Sequence, residues 1–192
     1  MFCRKVLAAA LIASTAGPAL AAADTYTLDP DHTYPSIEFS HMGISIWRGK
    51  FDKTSGSISI DRAAKTGTVV VAIDPASIDF GLGAMNDKAR SADFFNVAMF
   101  PTVTYRGALK FDGDTPKTVD GQVTIMGVTR PVKLRINLFH CMPHPISKQE
   151  ICGADAEGDL NWSEYGMKLS EYGQGDMGKV HLRIQVEALK QD

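Results

Sequence analysis

The 192-residue chain is notable first for what it lacks. Beyond its amino-terminal stretch, no apolar run approaches the roughly 20 residues that a membrane-spanning helix needs. This predicts a soluble mature chain. Charge of one sign is also missing: 20 Lys and Arg stand against 22 Asp and Glu. That mildly acidic balance argues against a nucleic-acid partner and against broad adhesion to anionic membranes. Catalytic signatures are absent as well. There is no Gly-x-Ser-x-Gly turn and no His-Glu-x-x-His helix, and Gly81-Leu82-Gly83 lacks the spacing of a phosphate loop. Asp112 and Asp114 form a carboxylate pair, but they flank Gly113 and read as turn residues. The five histidines have no matching acidic or thiolate neighbours, so no metal site and no cofactor are expected.

Cysteine is scarce too, and its three positions are informative. Cys3 belongs to a leader: Met1 to Lys5 is positively charged, Val6 to Ala13 is apolar, and Ala19-Leu20-Ala21 has the small-x-small form of a cleavage site. Residues 1–21 are therefore read as a secretory signal peptide, with an alternative cut after Ala23, and residues 22–192 as one domain. Cleavage leaves 18 basic residues against 22 acidic ones, a net charge of −4. It also leaves Cys141 and Cys152, and two thiols in an oxidising compartment most simply form one disulfide. Between them, Met142 to Glu150 shows neither strand nor helix period. A staple on a loop is favoured over a redox pair, or a metal site with His140 and His144, because redox pairs usually show Cys-x-x-Cys spacing.

What is abundant is alternation. Ile37 and Phe39 share a face with His41, and Ile58 and Ile60 follow the turn at Ser55-Gly56. Val69, Val71 and Ile73 come next, then Val103 and Tyr105, then Leu109 and Phe111. Val119, Val123 and Ile125 precede Val132, Leu134, Ile136 and Leu138, with Met126 to Pro131 as the hairpin connection. Val180, Leu182, Ile184 and Val186 close the series. A period of two marks strands with one dry face. Turn signals separate them at Thr66-Gly67, at Asp112-Gly113-Asp114 and over 172–175. Many short strands without a recurring helix–strand unit predict an all-β antiparallel barrel or sandwich. One segment breaks the rhythm. Met85 to Phe95 has no β-branched residue and carries apolar positions near helical spacing, so it is read as a short helix across one end.

Two stretches carry a family resemblance. Asp93-Phe94-Phe95 is followed by Phe100-Pro101 entering a strand, and Gly121-x-Val123-Thr124-Ile125-x-Gly127-Val128-Thr129-x-Pro131-Val132 follows further on. With Tyr26-x-Leu28-Asp29, His32, Ile37-x-Phe39, His41 and Gly49-x-Phe51, this order resembles the YceI family from about Thr25 to Glu187. The resemblance implies a lipocalin-like barrel of about eight strands in the periplasm, binding a polyisoprenoid lipid in an elongated apolar tunnel. The ligand would be an isoprenoid quinone or a prenyl phosphate. It also implies a homodimer as one option for assembly. The period alone leaves open whether the inner face meets other side chains or a void.

Candidate ligand-binding residues on this reading are Phe39, His41, Trp47, Phe51, Phe94, Phe95, Met99 and Tyr105, with Phe100 nearby. His41, Asn86, Asp87 and Arg90 are the candidates for polar groups at the mouth, although for His41 a barrel-end histidine bonded to a backbone carbonyl is the favoured reading. The chain departs from the family pattern at Asn161-Trp162-Ser163-Glu164-Tyr165-Gly166, where Trp162 stands in place of an Arg. Two other functions are open beside lipid carriage. One is a stress-related protein that sequesters foreign hydrophobic molecules. The other, an enzyme with His41 as general base, lacks a partner carboxylate or nucleophile at any motif spacing.

Overall fold

The computed structural model describes residues 23–168 and 178–191. The expected leader and the expected turn over 172–175 lie outside the described residues. The strands are β1 (Asp24–Leu28), β2 (Tyr34–His41), β3 (Ser45–Phe51), β4 (Thr54–Asp61), β5 (Thr66–Ile73), β6 (Ile78–Asp79), β7 (Val103–Asp112), β8 (Thr115–Ile125), β9 (Val128–Pro143), β10 (Glu150–Asn161) and β11 (Lys179–Lys190). Among the described residues a single α-helix, α1 (Gly83–Arg90), lies between β6 and β7.

The sheet closes on itself as an eight-stranded antiparallel barrel. Neighbours run β1-β4-β5-β7-β8-β9-β10-β11, and β11 returns to β1. The remaining segments are continuations of two broken strands. β2 pairs with Val180 to Gln185 of β11, and β1 pairs with Ala188 to Lys190 of the same strand. β3 and β4 face β2 and β1 in the same way, and β6 adds a short strand to β3. The break between β1 and β2 is bridged by Thr33, whose hydroxyl donates to the Glu187 carbonyl at 3.1 Å and accepts the Glu187 amide at 3.3 Å.

Alternation explains most of this architecture. Val119, Val123 and Ile125 of β8 and Val132, Leu134 and Ile136 of β9 are buried, while the residues between them are half-buried or exposed. The connection between these strands is tighter than the sequence predicts. Only Met126 and Gly127 lie between Ile125 and Val128, and both have positive φ, 48° and 76°. That is the two-residue primed turn whose twist suits a hairpin. Val128 to Pro131 belong to β9. Pro131 is tolerated there because β10 pairs with β9 only from Arg135 onward, leaving no ladder on that side to break.

Leu138 departs from its expected face. Asp155 pairs with Leu138 and Ala156 with Ile136, so Asn137 is an inserted residue that shifts the alternation by one. Leu138 is consequently 62% exposed, and Phe139 takes the inner position. The cysteines also sit differently from a staple on an irregular loop. Cys141 and Cys152 are directly opposed in the β9–β10 ladder, 4.0 Å apart at Cα, and form a disulfide. The loop proper is residues 144–149, where the His144 imidazole accepts the Ile146 and Ser147 amides at 3.3 and 3.1 Å.

The helix starts earlier and ends sooner than the expected Met85–Phe95. Ser91 takes extended backbone at the helix C-cap, so the helix ends before Phe94 and Phe95. Lys88 and Lys168 both clamp the Asp93 carboxylate, at 2.7 and 3.0 Å, which ties the segment after α1 to the segment after β10.

Candidate binding cavity

The inward side chains of the barrel do not fill it. They line a cavity that leaves about 160 Å³ open to the centre of a water-sized body, a volume well above the minimum for one water. Residues from every strand of the closed ring line it, from Tyr26 and Cys152 toward one end to Phe51, Phe95 and Trp162 toward the other. Between them the wall is mostly Val, Ile and Leu. Among the described residues no charged side chain lines this space.

Its ends are built from specific contacts. Trp162 is 3% exposed and packs against Phe39, with ring centroids 4.9 Å apart, and against Phe95 at 6.0 Å. Phe51 meets Phe95 edge-on at 5.6 Å. Aromatic pairs at these separations and tilts are favourable beyond their buried area. The residue that departs from the family pattern thus becomes an apolar end wall.

At the other end, Tyr26 is fully buried and its hydroxyl donates to Glu150 Oε1 at 2.8 Å. Arg62 donates to the same oxygen at 2.5 Å and to Asp24 at 2.9 Å. Burial, together with the carboxylate it faces, pushes the Tyr26 phenol up to about 12. Burial works against the Glu150 charge, but the Tyr26 and Arg62 hydrogen bonds outweigh it and hold its carboxyl below the usual range.

Tyr105 crosses the interior. Its ring lies over Gly121, where an added Cβ would fall 2.3 Å from the ring, and Gly107 stands opposite Gly121 in the ladder. Its hydroxyl donates toward the carbonyls of Val132 and Val119, at 3.0 and 3.3 Å. Glycine at 121 is therefore required for close approach rather than for backbone freedom. Burial raises the Tyr105 phenol well above its ordinary value.

The structure distributes the sequence candidates unevenly. Phe51, Phe95 and Tyr105 line the cavity. Phe39 is buried beside it and reaches it through Trp162. Trp47 and His41 stack on each other at 4.2 Å and 23°, half-buried at the end of the β2–β3 hairpin and off the cavity wall. Asn86 holds the chain entering α1, accepting the Phe80 amide and donating to Asp79, each at 2.8 Å. That bond, with the Gly81 amide, holds the Asp79 carboxyl below its usual range. Arg90 donates to the Ile78 carbonyl at 3.2 Å and lies 3.7 Å from Asp87. Phe94 is buried off the cavity wall, and Met99 is 71% exposed. Sequence reasoning passed over Thr54, Leu160 and Ala156, which line the wall. The period of two through Ile58 and Ile60 could have flagged Thr54.

A family model described as the YceI-like domain matches residues 26–188. The chain belongs to the YceI family. A UPF0312 protein of Pseudomonas aeruginosa is 31% identical over 199 residues, covering 98% of this chain and 99% of that one. The YceI protein of Escherichia coli O157:H7 is 30% identical over 179 residues, covering 92% of each. Among solved structures, Burkholderia cenocepacia BcnA superposes with a TM-score of 0.68 at 21% identity, over 83% of this chain and 98% of that one. A polyisoprenoid-binding domain from Saccharophagus degradans gives 0.59 at 16% identity, over 86% and 98%. These structural likenesses establish that YceI-like barrels share this fold.

Proposed function

We propose that the protein is a periplasmic carrier that holds an isoprenoid lipid in the barrel, exported by a leader ending at Ala21 or Ala23. The observation that carries this reading is the interior cavity with a mostly apolar wall and no charged side chain among the described residues. An isoprenoid tail offers no hydrogen bonds and asks only for a dry bore. Each methylene taken from water is worth about 0.8 kcal/mol. A few tens of carbons would exceed the affinity ceiling of roughly 20 kcal/mol, so loss of chain freedom must offset much of the sum. Tight binding with little discrimination of tail length is the expected outcome. The Saccharophagus degradans domain, whose fold this chain shares, is described as polyisoprenoid-binding, which supports the same ligand class.

The family and the wall favour a binding protein over an enzyme. His41, the candidate base, stacks on Trp47 away from the cavity. Filling the bore tests the reading. Ala156 is 5% exposed and lines the cavity, so Ala156→Trp should abolish uptake of an added isoprenoid quinone while leaving the β-sheet circular dichroism intact. A folded Ala156→Trp protein that still takes up the quinone would contradict it. Amino-terminal sequencing of the exported chain should begin at residue 22 or 24.

A further inference from the structure

Four buried hydroxyls line the cavity: Tyr26, Thr33, Thr54 and Tyr105. Three are engaged, Tyr26 by Glu150, Thr33 by the Glu187 backbone, and Tyr105 by the Val119 and Val132 carbonyls. Thr54 is the exception. It is 4% exposed, and its Oγ1 has no hydrogen-bond partner among the described residues. A buried hydroxyl without a partner is costly and uncommon, and one facing a ligand space asks what would satisfy it. Ser36, the remaining hydroxyl residue on the lining, is only half-buried.

The position of Thr54 sharpens the question. It opens β4 just after the break between β3 and β4, opposite Ile73 in the ladder. Thr54 and Ile73 also line a separate outer recess of about 420 Å³. The wall between cavity and exterior is therefore formed at this point by these two side chains. The recess carries Asp31, Asp52 and Asp74 with Lys53, and Lys50 lies 3.2 Å from Asp52. Three carboxylates against two ammonium groups do not make a seat for an anion. Inside, no cation lines the cavity among the described residues. A phosphate placed here would lose its hydration without a compensating charge.

Resting on the lipid-binding reading above, we propose that Thr54 donates a hydrogen bond to an uncharged oxygen of the bound lipid. A carbonyl or hydroxyl head group is selected over a phosphate. No protein group among the described residues competes for this hydroxyl, so a carbonyl reaching Oγ1 gains a bond without breaking one within the protein.

The test uses the mature protein stripped of lipid, with displacement of a neutral fluorescent polyene as the readout. The probes are an isoprenoid quinone, a prenyl monophosphate of similar length, and squalene. One neutral hydrogen bond corresponds to about 3- to 10-fold in affinity. Thr54→Val should weaken quinone binding by that factor and leave squalene unchanged, and Thr54→Ser should restore the quinone. Thr54→Val replaces an unpaired buried hydroxyl with a methyl of the same shape, so its melting temperature should hold or rise, which separates the effect from misfolding. Unaltered quinone affinity in Thr54→Val, an equal loss for squalene, or a prenyl phosphate bound more tightly than the quinone would each overturn the assignment while leaving lipid carriage standing. A wild-type protein that takes up none of the three probes would overturn both.

Discussion

Gly121→Ala isolates the contact that shapes the cavity interior. An alanine Cβ at 121 would stand 2.3 Å from Tyr105 Cζ and Oη and 2.8 Å from Cε2, so the ring has to move. Moving it costs in two ways. Overpacking a filled contact costs about 1–3 kcal/mol. Withdrawing the Tyr105 hydroxyl from the Val132 and Val119 carbonyls leaves a buried donor unpaired, at about 1–3 kcal/mol. Alanine returns about 0.5–1 kcal/mol relative to glycine within a strand. The net destabilisation is about 1–5 kcal/mol. For a domain of this size that corresponds to a fall in melting temperature of about 2–20 °C. Thermal unfolding of four proteins checks it: wild type, Gly121→Ala, Tyr105→Leu and the double variant. Leucine removes the ring that the methyl strikes, so Gly121→Ala should cost almost nothing in the Tyr105→Leu background. A coupling above about 1 kcal/mol is expected, within the range for contacting residues. Equal costs of Gly121→Ala in both backgrounds would refute the close-approach argument.

Three further outcomes follow from the same geometry. Reducing Cys141–Cys152, or making Cys141→Ser, should lower stability by about 3 kcal/mol at most, because the bridge closes a short loop already held by the ladder; unfolding with and without dithiothreitol measures this. The hydrogen bonds from Lys88 and then Lys168 depress the Asp93 carboxyl, so its stabilisation is present above the unfolded value of about 3.9 and is lost as pH falls through the folded value. The melting-temperature gap between wild type and Asp93→Asn should therefore close on acidification; a gap unchanged down to pH 2 would show that the clamp does not act through this charge. Trp162 lines the cavity whereas Trp47 does not, so in a Trp47→Phe protein the remaining tryptophan emission should be quenched by an added isoprenoid quinone. In Trp162→Phe, quenching of Trp47 should be weak.

The barrel was legible because its inner face repeats with a period of two through Ile58, Val69, Val103, Val123 and Leu182, and local alternation is what closes such a sheet. Legibility failed where one residue breaks the count. Asn137 is an unpaired insertion that no composition signals, and it moved Leu138 outward and Phe139 inward. The turn at Met126-Gly127 was placed correctly but read too long, because Pro131 suggested an interruption where the strand has a free side. The cavity itself was beyond the period. Phe51, Phe95 and Tyr105 were named for their aromatic size, and the same criterion named Met99, which the turns after α1 leave exposed. Asn86 and Arg90 were chosen as polar groups near an end, yet their hydrogen bonds run to Phe80, Asp79 and Ile78 of their own segment. Such local partners are invisible without coordinates. Thr54 was passed over because a lone threonine at a strand start reads as a turn residue, and its missing partner emerges only from three-dimensional packing.

The most direct test of the central claim is native mass spectrometry of the protein purified from its own cells, followed by solvent extraction of whatever it carries. A defined added mass, extracted as an isoprenoid, is the predicted result. A protein that is empty as isolated and gains no mass on incubation with isoprenoid quinones would contradict the account, because an apolar cavity walled mostly by Val, Ile and Leu would then have no occupant of the class it fits.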